Sequence, residues 1–413
     1  MNLKLHKASS INHSNIHLPG SKSISNRILI IKALSGLDFE IKNSSDSDDT
    51  KHLNEALEHY KNSNLINVGH AGTDMRFLTA FLSLKNGNYE LTGSERLQQR
   101  PVKDLVEVLK TLGADINYKN KEGYPPLLIS GKQLSGGNVE ISGSVSSQFI
   151  SALLLVAPYF TNGLELTIIG DLVSKPYVNM TIELMKEFGA SVIWNKNNII
   201  VKPVPYTYSK KEFVVESDWS AASYYFSIVA LSKLNTSLSI NGLFQKSLQA
   251  DSVCSEIYKN FGVTTSYSEN EITITKSTTV SKSVLEYNFI ECPDIAQTVV
   301  CTCIGLQIPF TFTGLQTLKV KETDRIVALK NEFAKFGIEL FVSDNSIQWL
   351  VIKSLYNSNV SIATYNDHRM AMSFATLSLL LDEVIIEDAN VVSKSYPLFW
   401  EHLKCIGINQ ASI

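Results

Sequence analysis

Several short stretches gather the residue types that handle anions. LPGSKSISNR at 18–27 carries Lys22, Ser23, Ser25 and Arg27 at the start of an apolar helical run. A nucleotide-binding loop needs Gly directly before the Lys and a second Gly upstream; here Ser21 intervenes and the upstream Gly is missing. The stretch is a phosphate loop of another kind, or simply an N-capped helix start. HAGTDMR at 70–76 places Gly72 in a small-residue turn where a ligand can approach the backbone. GSVSSQ at 143–148 offers the neutral donors Ser146, Ser147 and Gln148, which suit hydroxyls and phosphate oxygens or make a serine-rich cap. In KETDR at 321–325, the i, i+4 spacing of Lys321 and Arg325 predicts one shared face at a helix start, where paired cations are unusual. YNDHRMAM at 365–372 leads Arg369 into an apolar helix, where it needs a partner; an anionic ligand is the simplest. His368 beside it is a candidate base or metal ligand, or a histidine with neither role.

A repeat must position these groups. An apolar-Gly-apolar signature closes five helix-like stretches, at Gly113, Gly189, Gly262, Gly337 and Gly407. Each Gly fits the left-handed position just past a helix. After all but the last comes a strand–turn–strand pattern, as in SVIWNKNNIIVKP and ELFVSDNSIQWLVIK. A sixth, weaker copy at 50–68 has lost its Gly. Six copies suggest two domains of three repeats, with a boundary near Ser217 and Asp218 and a first strand around Leu3–Leu18 that could join either half. Upstream of each Gly, at a similar offset, stands a cation: Arg100, Lys175, Lys246, Lys321 and Lys394. The offset puts them beside helix N-termini, whose free N–H groups favour anions; ordinary loop cations are the plainer reading.

The bulk properties narrow the class. The chain of 413 residues is 44% hydrophobic and 19% charged, with net charge −3, so nothing global draws it to nucleic acid or anionic lipid. Met1-Asn-Leu-Lys-Leu lacks the start of a signal peptide. The longest uncharged run, Ile295–Leu318, contains Gln297, Gln307 and Pro309 and reads as a buried helix followed by a buried strand, so no membrane span is expected. The five cysteines are odd in number, which argues for reduced thiols in a cytoplasmic protein. Cys301 and Cys303 have no second ligand pair and read as core, so no metal site is expected.

Taken in order, LPGSKSISNR, AGTDMR, SVSSQF, KETDR, NDHRMAM and SKSYP (393–397) resemble the enolpyruvyl transferase superfamily, and within it the shikimate branch. The resemblance runs from about residue 3 to residue 408. It implies two similar α/β lobes, each of three βαβαββ repeats, in the inside-out α/β barrel of these transferases. The N-terminal strand would return to the C-terminal lobe, giving residues 1–19 with 218–413 and residues 20–217, with the active site in the cleft between them. The implied reaction moves the carboxyvinyl group of phosphoenolpyruvate to the 5-hydroxyl of shikimate 3-phosphate, on the route to chorismate and the aromatic amino acids. The implied enzyme is cytoplasmic, needs no cofactor, and acts on small molecules as a monomer. Carried over by position, shikimate 3-phosphate would be held by Lys22, Ser23, Arg27, Ser146, Ser147, Gln148, Ser174, Tyr177, Asp294 and Lys321. Phosphoenolpyruvate would be held by Lys22, Gly72, Arg100, Gln148, Arg325, Arg369 and Lys394.

Within that resemblance Glu322 is the candidate acid for the methylene carbon and Asp294 the candidate base for the hydroxyl, with Lys22 stabilising phosphate or relaying a proton. Three positions depart from the family pattern. His70 replaces Asn, Phe77 follows the Arg where Pro is common, and Thr317 replaces a substrate-binding Asn. With Gly72 present, glyphosate is expected to compete with phosphoenolpyruvate. The rivals are the UDP-N-acetylglucosamine branch and a non-catalytic phosphate-ligand binder. The first normally uses a loop Cys, whereas no Cys here precedes Cys254; retention of Asp294, Glu322 and the cations speaks against the second.

Overall fold

The computed structural model describes residues 1–8, 10–280, 283–351 and 359–413. The chain forms two compact units, Met1–Gly20 with Glu216–Ile413, and Ser21–Val215. The smaller unit is thus an insertion between the second strand and the first long helix of the larger one.

The larger unit has three four-stranded sheets of one pattern: a parallel pair followed by two antiparallel strands. In one, Leu285–Asn288 lies parallel to Phe310–Thr313, which pairs with Ile347–Trp349 and then Phe341–Val342. In another, Asn15–His17 joins Ser237–Asn241, Glu271–Lys276 and Val263–Tyr267. The third runs Asn359–Ile362, Glu383–Ile386, Leu3–His6 and Gln410–Ser412. The stretch expected as one N-terminal strand is therefore two, placed in different sheets of the same unit. The smaller unit repeats the pattern in Leu65–Asn67, Gly87–Thr92, Leu127–Gly131 and Asp115–Tyr118, and again in Gly137–Ser142, Leu164–Ile169, Asn198–Val201 and Val192–Asn195. Its third sheet has only two strands among the described residues, Glu40–Lys42 beside Glu212–Val214. The five glycines of the repeat all have positive φ, from 71° to 105°. The strand–turn–strand copy after Gly337 is described only to Val351; Ile352 and Lys353 lie outside the described residues.

A parallel pair requires a crossover, and here the crossovers are the innermost helices. Trp219–Leu231, Ala296–Leu306 and His368–Ala375 pack together in the larger unit and are buried almost all round. Gly72–Ser83 and Ser147–Val156 do the same in the smaller one. Ala296–Leu306 is uncharged on every side because it is buried on every side, which is why the uncharged run at 295–318 reads as helix then strand and proves to be so. Among the described residues no helix is long and apolar enough to cross a membrane.

The repeat is written into the core as hydrogen bonds. Ser223 Oγ lies 3.2 Å from Thr298 Oγ1, which lies 3.2 Å from Ser373 Oγ; each step spans 75 residues. One turn on, Thr302 donates to Ser227 at 2.8 Å, also 75 residues away, and Ser227 donates to Thr376 at 3.1 Å. Equivalent hydroxyls of three repeats thus satisfy one another where no water reaches, each bond contributing about 1 kcal/mol net.

Candidate active site

In the smaller unit, the helix Lys22–Ser35 begins directly at the phosphate-like loop. Lys22 Nζ contacts Asp49 Oδ2 at 2.8 Å. Arg27, one turn on, is buried and makes four hydrogen bonds: Nε to Thr181 Oγ1 at 2.7 Å, Nη1 to Ser23 O at 2.7 Å, and Nη2 to Ser151 Oγ at 3.2 Å and Tyr177 O at 3.3 Å. It ties together the segments that carry Ser23, Tyr177 and the Ser147–Val156 helix. Burial pulls its pKa down to about 10, only partly opposed by Tyr177. The ring of Phe77, one of the departures from the family pattern, lies 5.5 Å from the Arg27 guanidinium carbon.

Gly72 opens the helix Gly72–Ser83, as expected, and the reason for glycine is visible. A Cβ there would stand 2.4 Å from Arg100 Nη1 and 2.8 Å from its Cζ. Arg76 turns inward instead, donating to Gly72 O at 2.9 Å and Pro101 O at 3.0 Å, and burial with Arg100 nearby lowers its pKa strongly. Ser146 caps the Ser147–Val156 helix by accepting from Gln148 N, and Gln148 Nε2 donates to Thr73 Oγ1 at 3.0 Å. That bond joins the neutral-donor cluster to the Gly72 turn. Ser174 adopts left-handed backbone, φ 54°, just before the helix Lys175–Glu187, which carries Tyr177.

In the larger unit the charged groups pair with one another. Asp294 Oδ1 accepts from Arg325 Nη1 at 3.1 Å and lies 3.4 Å from Lys321 Nζ; its Oδ2 lies 3.1 Å from Arg369 Nη2. Arg325 Nη2 reaches Glu322 Oε2 at 2.9 Å, and Nε reaches buried Asp367 Oδ2 at 2.7 Å. Burial alone would lower the Arg325 pKa, but Asp367, Glu322 and Asp294 together raise it. Asp367 also caps the next helix, accepting from Arg369 N at 2.8 Å. Lys394 donates to Asn366 at 2.8 Å and 2.7 Å, so the NDHR and SKSYP motifs meet. Thr317 leaves its hydroxyl oxygen buried with no hydrogen-bond partner among the described residues.

One expectation is corrected. Lys321 and Arg325 do not share a helix face, because the helix begins at Arg325. Asp324 is the better cap: its carboxylate accepts from Ile326 N and Val327 N at 3.1 Å, leaving Lys321 in extended backbone. Both cations nonetheless reach Asp294 Oδ1. Of the five repeat cations, Lys175 leans over the Trp194 ring at 5.2 Å. Cys301 and Cys303 are buried, with thiol pKa values pushed up by burial. Among the described residues no three His, Cys, Asp or Glu gather as a metal cluster would require. Sequence reasoning missed Asp49, Asp74, Ser220 and Asp251. Asp49 and Asp74 stand within quoted or adjacent polar stretches, but nothing in their spacing signals that they converge on Lys22.

The fold is that of solved structures of EPSP synthase from Acinetobacter baumannii, with TM-score 0.80 over 100% of both chains at 20% identity. The family model for EPSP synthase (3-phosphoshikimate 1-carboxyvinyltransferase) matches residues 7–65 and 59–403. A 3-phosphoshikimate 1-carboxyvinyltransferase of Bacteroides fragilis strain YCH46 is 48% identical over 394 residues, 95% of each chain. One from Aliivibrio fischeri is 35% identical, covering 97% of this chain and 98% of its own. An α/β transferase is therefore the class. The chain belongs to the EPSP synthase family.

Proposed function

We propose that the chain transfers the carboxyvinyl group of phosphoenolpyruvate to the 5-hydroxyl of shikimate 3-phosphate and releases phosphate. The observation that carries this reading is Arg325. A single buried guanidinium holds both candidate catalytic carboxylates, Asp294 and Glu322, while Lys321 and Arg369 reach the same Asp294.

Anionic oxygens of phosphoenolpyruvate compete for the N–H groups of Arg325 and Arg369, which loosens both carboxylates at the moment the substrate arrives. Released from Arg325, Glu322 takes up a proton and delivers it to the methylene carbon while the 5-hydroxyl oxygen bonds to C2 and gives its proton to Asp294. In the elimination the C2–O bond to phosphate breaks, Glu322 takes a proton back from the new methyl group to restore the vinyl, and Asp294 gives its proton to the departing phosphate. Lys22, Arg100, Arg325, Arg369 and Lys394 offset the charge of the two anions, a stabilisation that grows as negative charge develops on the departing phosphate. Ser23, Ser146, Ser147, Gln148, Ser174 and Tyr177 supply neutral partners for shikimate 3-phosphate, with Arg27 setting the positions of Ser23 and Tyr177.

Phosphate release measured with both substrates, and with each omitted in turn, tests the reading. Release only with both present is expected. No release with both, or equal release from phosphoenolpyruvate alone, rejects it.

A further inference from the structure

Behind the Asp294–Arg369 pair lies a third carboxyl that the proposed chemistry leaves unused. Asp251, 3% exposed, accepts a hydrogen bond from Ser220 Oγ at its Oδ2, and its Oδ1 is buried with no hydrogen-bond partner among the described residues. Ser220 Oγ in turn lies 3.5 Å from Arg369 Nη2, the nitrogen that holds Asp294 Oδ2 at 3.1 Å. Arg369 Nη1 donates to the Asp294 carbonyl at 3.1 Å. One guanidinium is therefore shared between Asp294 directly and Asp251 through a hydroxyl.

We infer that Asp251 is a positioning residue for Arg369: acting through Ser220, its charge sets how firmly that guanidinium is held back from an anionic substrate. An ionised Asp251 can only accept from the Ser220 hydroxyl, which turns the oxygen lone pairs of Ser220 toward Arg369. It also adds a negative charge that an incoming phosphate or carboxylate must oppose. A neutral Asp251 adds no charge, and its own O–H can donate to Ser220 instead.

The groups facing Asp251 decide when it ionises. Asp294 and Asp218 disfavour its charge, Arg369 and the Ser220 hydroxyl favour it, and the buried thiols Cys254 and Cys292 lie close by. Burial outweighs the rest and lifts the carboxyl from 3.8 to about 7. The tether therefore strengthens as pH rises through that value and weakens as pH falls through it.

The inference rests on the proposed transfer reaction and is tested on it, by steady-state kinetics from pH 6 to 8.5 on the parent, Asp251→Asn and Ser220→Ala. At pH 6 the parent and Asp251→Asn should have similar KM for phosphoenolpyruvate. By pH 8.5 the parent's KM should exceed the variant's by about threefold or more, with kcat changed less, as expected when a charge near pH 7 is removed. The substrate's own ionisation cancels in that ratio. Ser220→Ala keeps the carboxyl but cuts the relay, so its profile should move toward that of Asp251→Asn; it also carries the test if Asp251→Asn does not fold. A ratio that is constant with pH, or a folded Ser220→Ala with the parent's profile, overturns the inference while leaving the transfer reaction standing. A parent that releases no phosphate rejects the reaction and the inference together.

Discussion

The two units solve the same problem, a cation held near the ends of buried helices, in opposite ways. In the smaller unit Arg27 is satisfied by hydroxyls and backbone carbonyls. In the larger unit Arg325 is held by three carboxylates. The first cation has its pKa lowered by burial, the second raised by its partners in spite of burial. Neutral partners fix geometry without cancelling charge, so Arg27 leaves its surroundings net positive. Carboxylate partners cancel charge, so in the reaction proposed above an anion at Arg325 would displace a carboxylate and free it for proton transfer.

The largest expected effect breaks the larger unit's half of this contrast. Asp294→Asn and Glu322→Gln should each lower kcat by about 10²–10⁴, with KM changed far less, because shape is kept and only proton transfer is lost. Near-parental kcat in both would remove the acid and base from this cluster.

Stability should separate the units next. Asp367→Ala leaves buried Arg325 short of the partner that meets its Nε at 2.7 Å, and a loss of about 3–5 kcal/mol is expected from denaturant unfolding. Thr181→Ala removes the neutral acceptor from Arg27 Nε, also at 2.7 Å, and should cost about 1.5–3 kcal/mol. Equal losses would mean that the charge of the partner is immaterial.

Much of this was legible in the sequence, for reasons tied to particular residues. The repeat showed because the helix ends at Gly113, Gly189, Gly262, Gly337 and Gly407 need left-handed backbone, which glycine adopts without strain. The buried run at 295–318 showed because the inner helix Ala296–Leu306 carries no charge. The 75-residue hydroxyl ladder did not show, since Ser and Thr in an apolar helix look the same whether they bond a neighbouring helix or their own backbone. Nor did the start of the 325–334 helix, where the i, i+4 spacing of Lys321 and Arg325 points to an earlier start than the cap at Asp324 allows. Asp251 was hidden because it lies in a single 3-10 turn, Ala250–Val253, outside every motif, and its importance comes from what packs on it.

A smaller effect sharpens the contrast at the Gly72 turn. A methyl at Gly72 would overlap Arg100 Nη1, the far end of a flexible side chain, so Gly72→Ala should fold normally while moving the guanidinium. Glyphosate is expected to compete with phosphoenolpyruvate in the parent. In the variant its inhibition constant should rise at least about tenfold, equivalent to 1.4 kcal/mol. Unchanged inhibition would place the inhibitor away from Arg100.

The smallest effect concerns a carboxyl that the smaller unit buries against its own pattern. Asp74 is fully buried; its Oδ1 accepts from Asn26 Nδ2 at 3.0 Å and its Oδ2 has no hydrogen-bond partner among the described residues. Burial, then repulsion from Asp49, raises its pKa well above 3.8, only partly opposed by Lys22. A carboxyl that binds its proton more tightly when folded favours folding while protonated and loses that advantage as pH rises from 3.8 through the folded value. Asp74→Asn keeps the acceptor for Asn26 and is neutral at every pH. Thermal unfolding should therefore find the variant more stable than the parent at pH 8, by about 2–4 °C for each kcal/mol relieved, with the gap closing toward pH 4. Destabilisation by the same amount at every pH would show that Asp74 is held by its contacts, and that the smaller unit tolerates an ionised carboxylate as readily as the larger one.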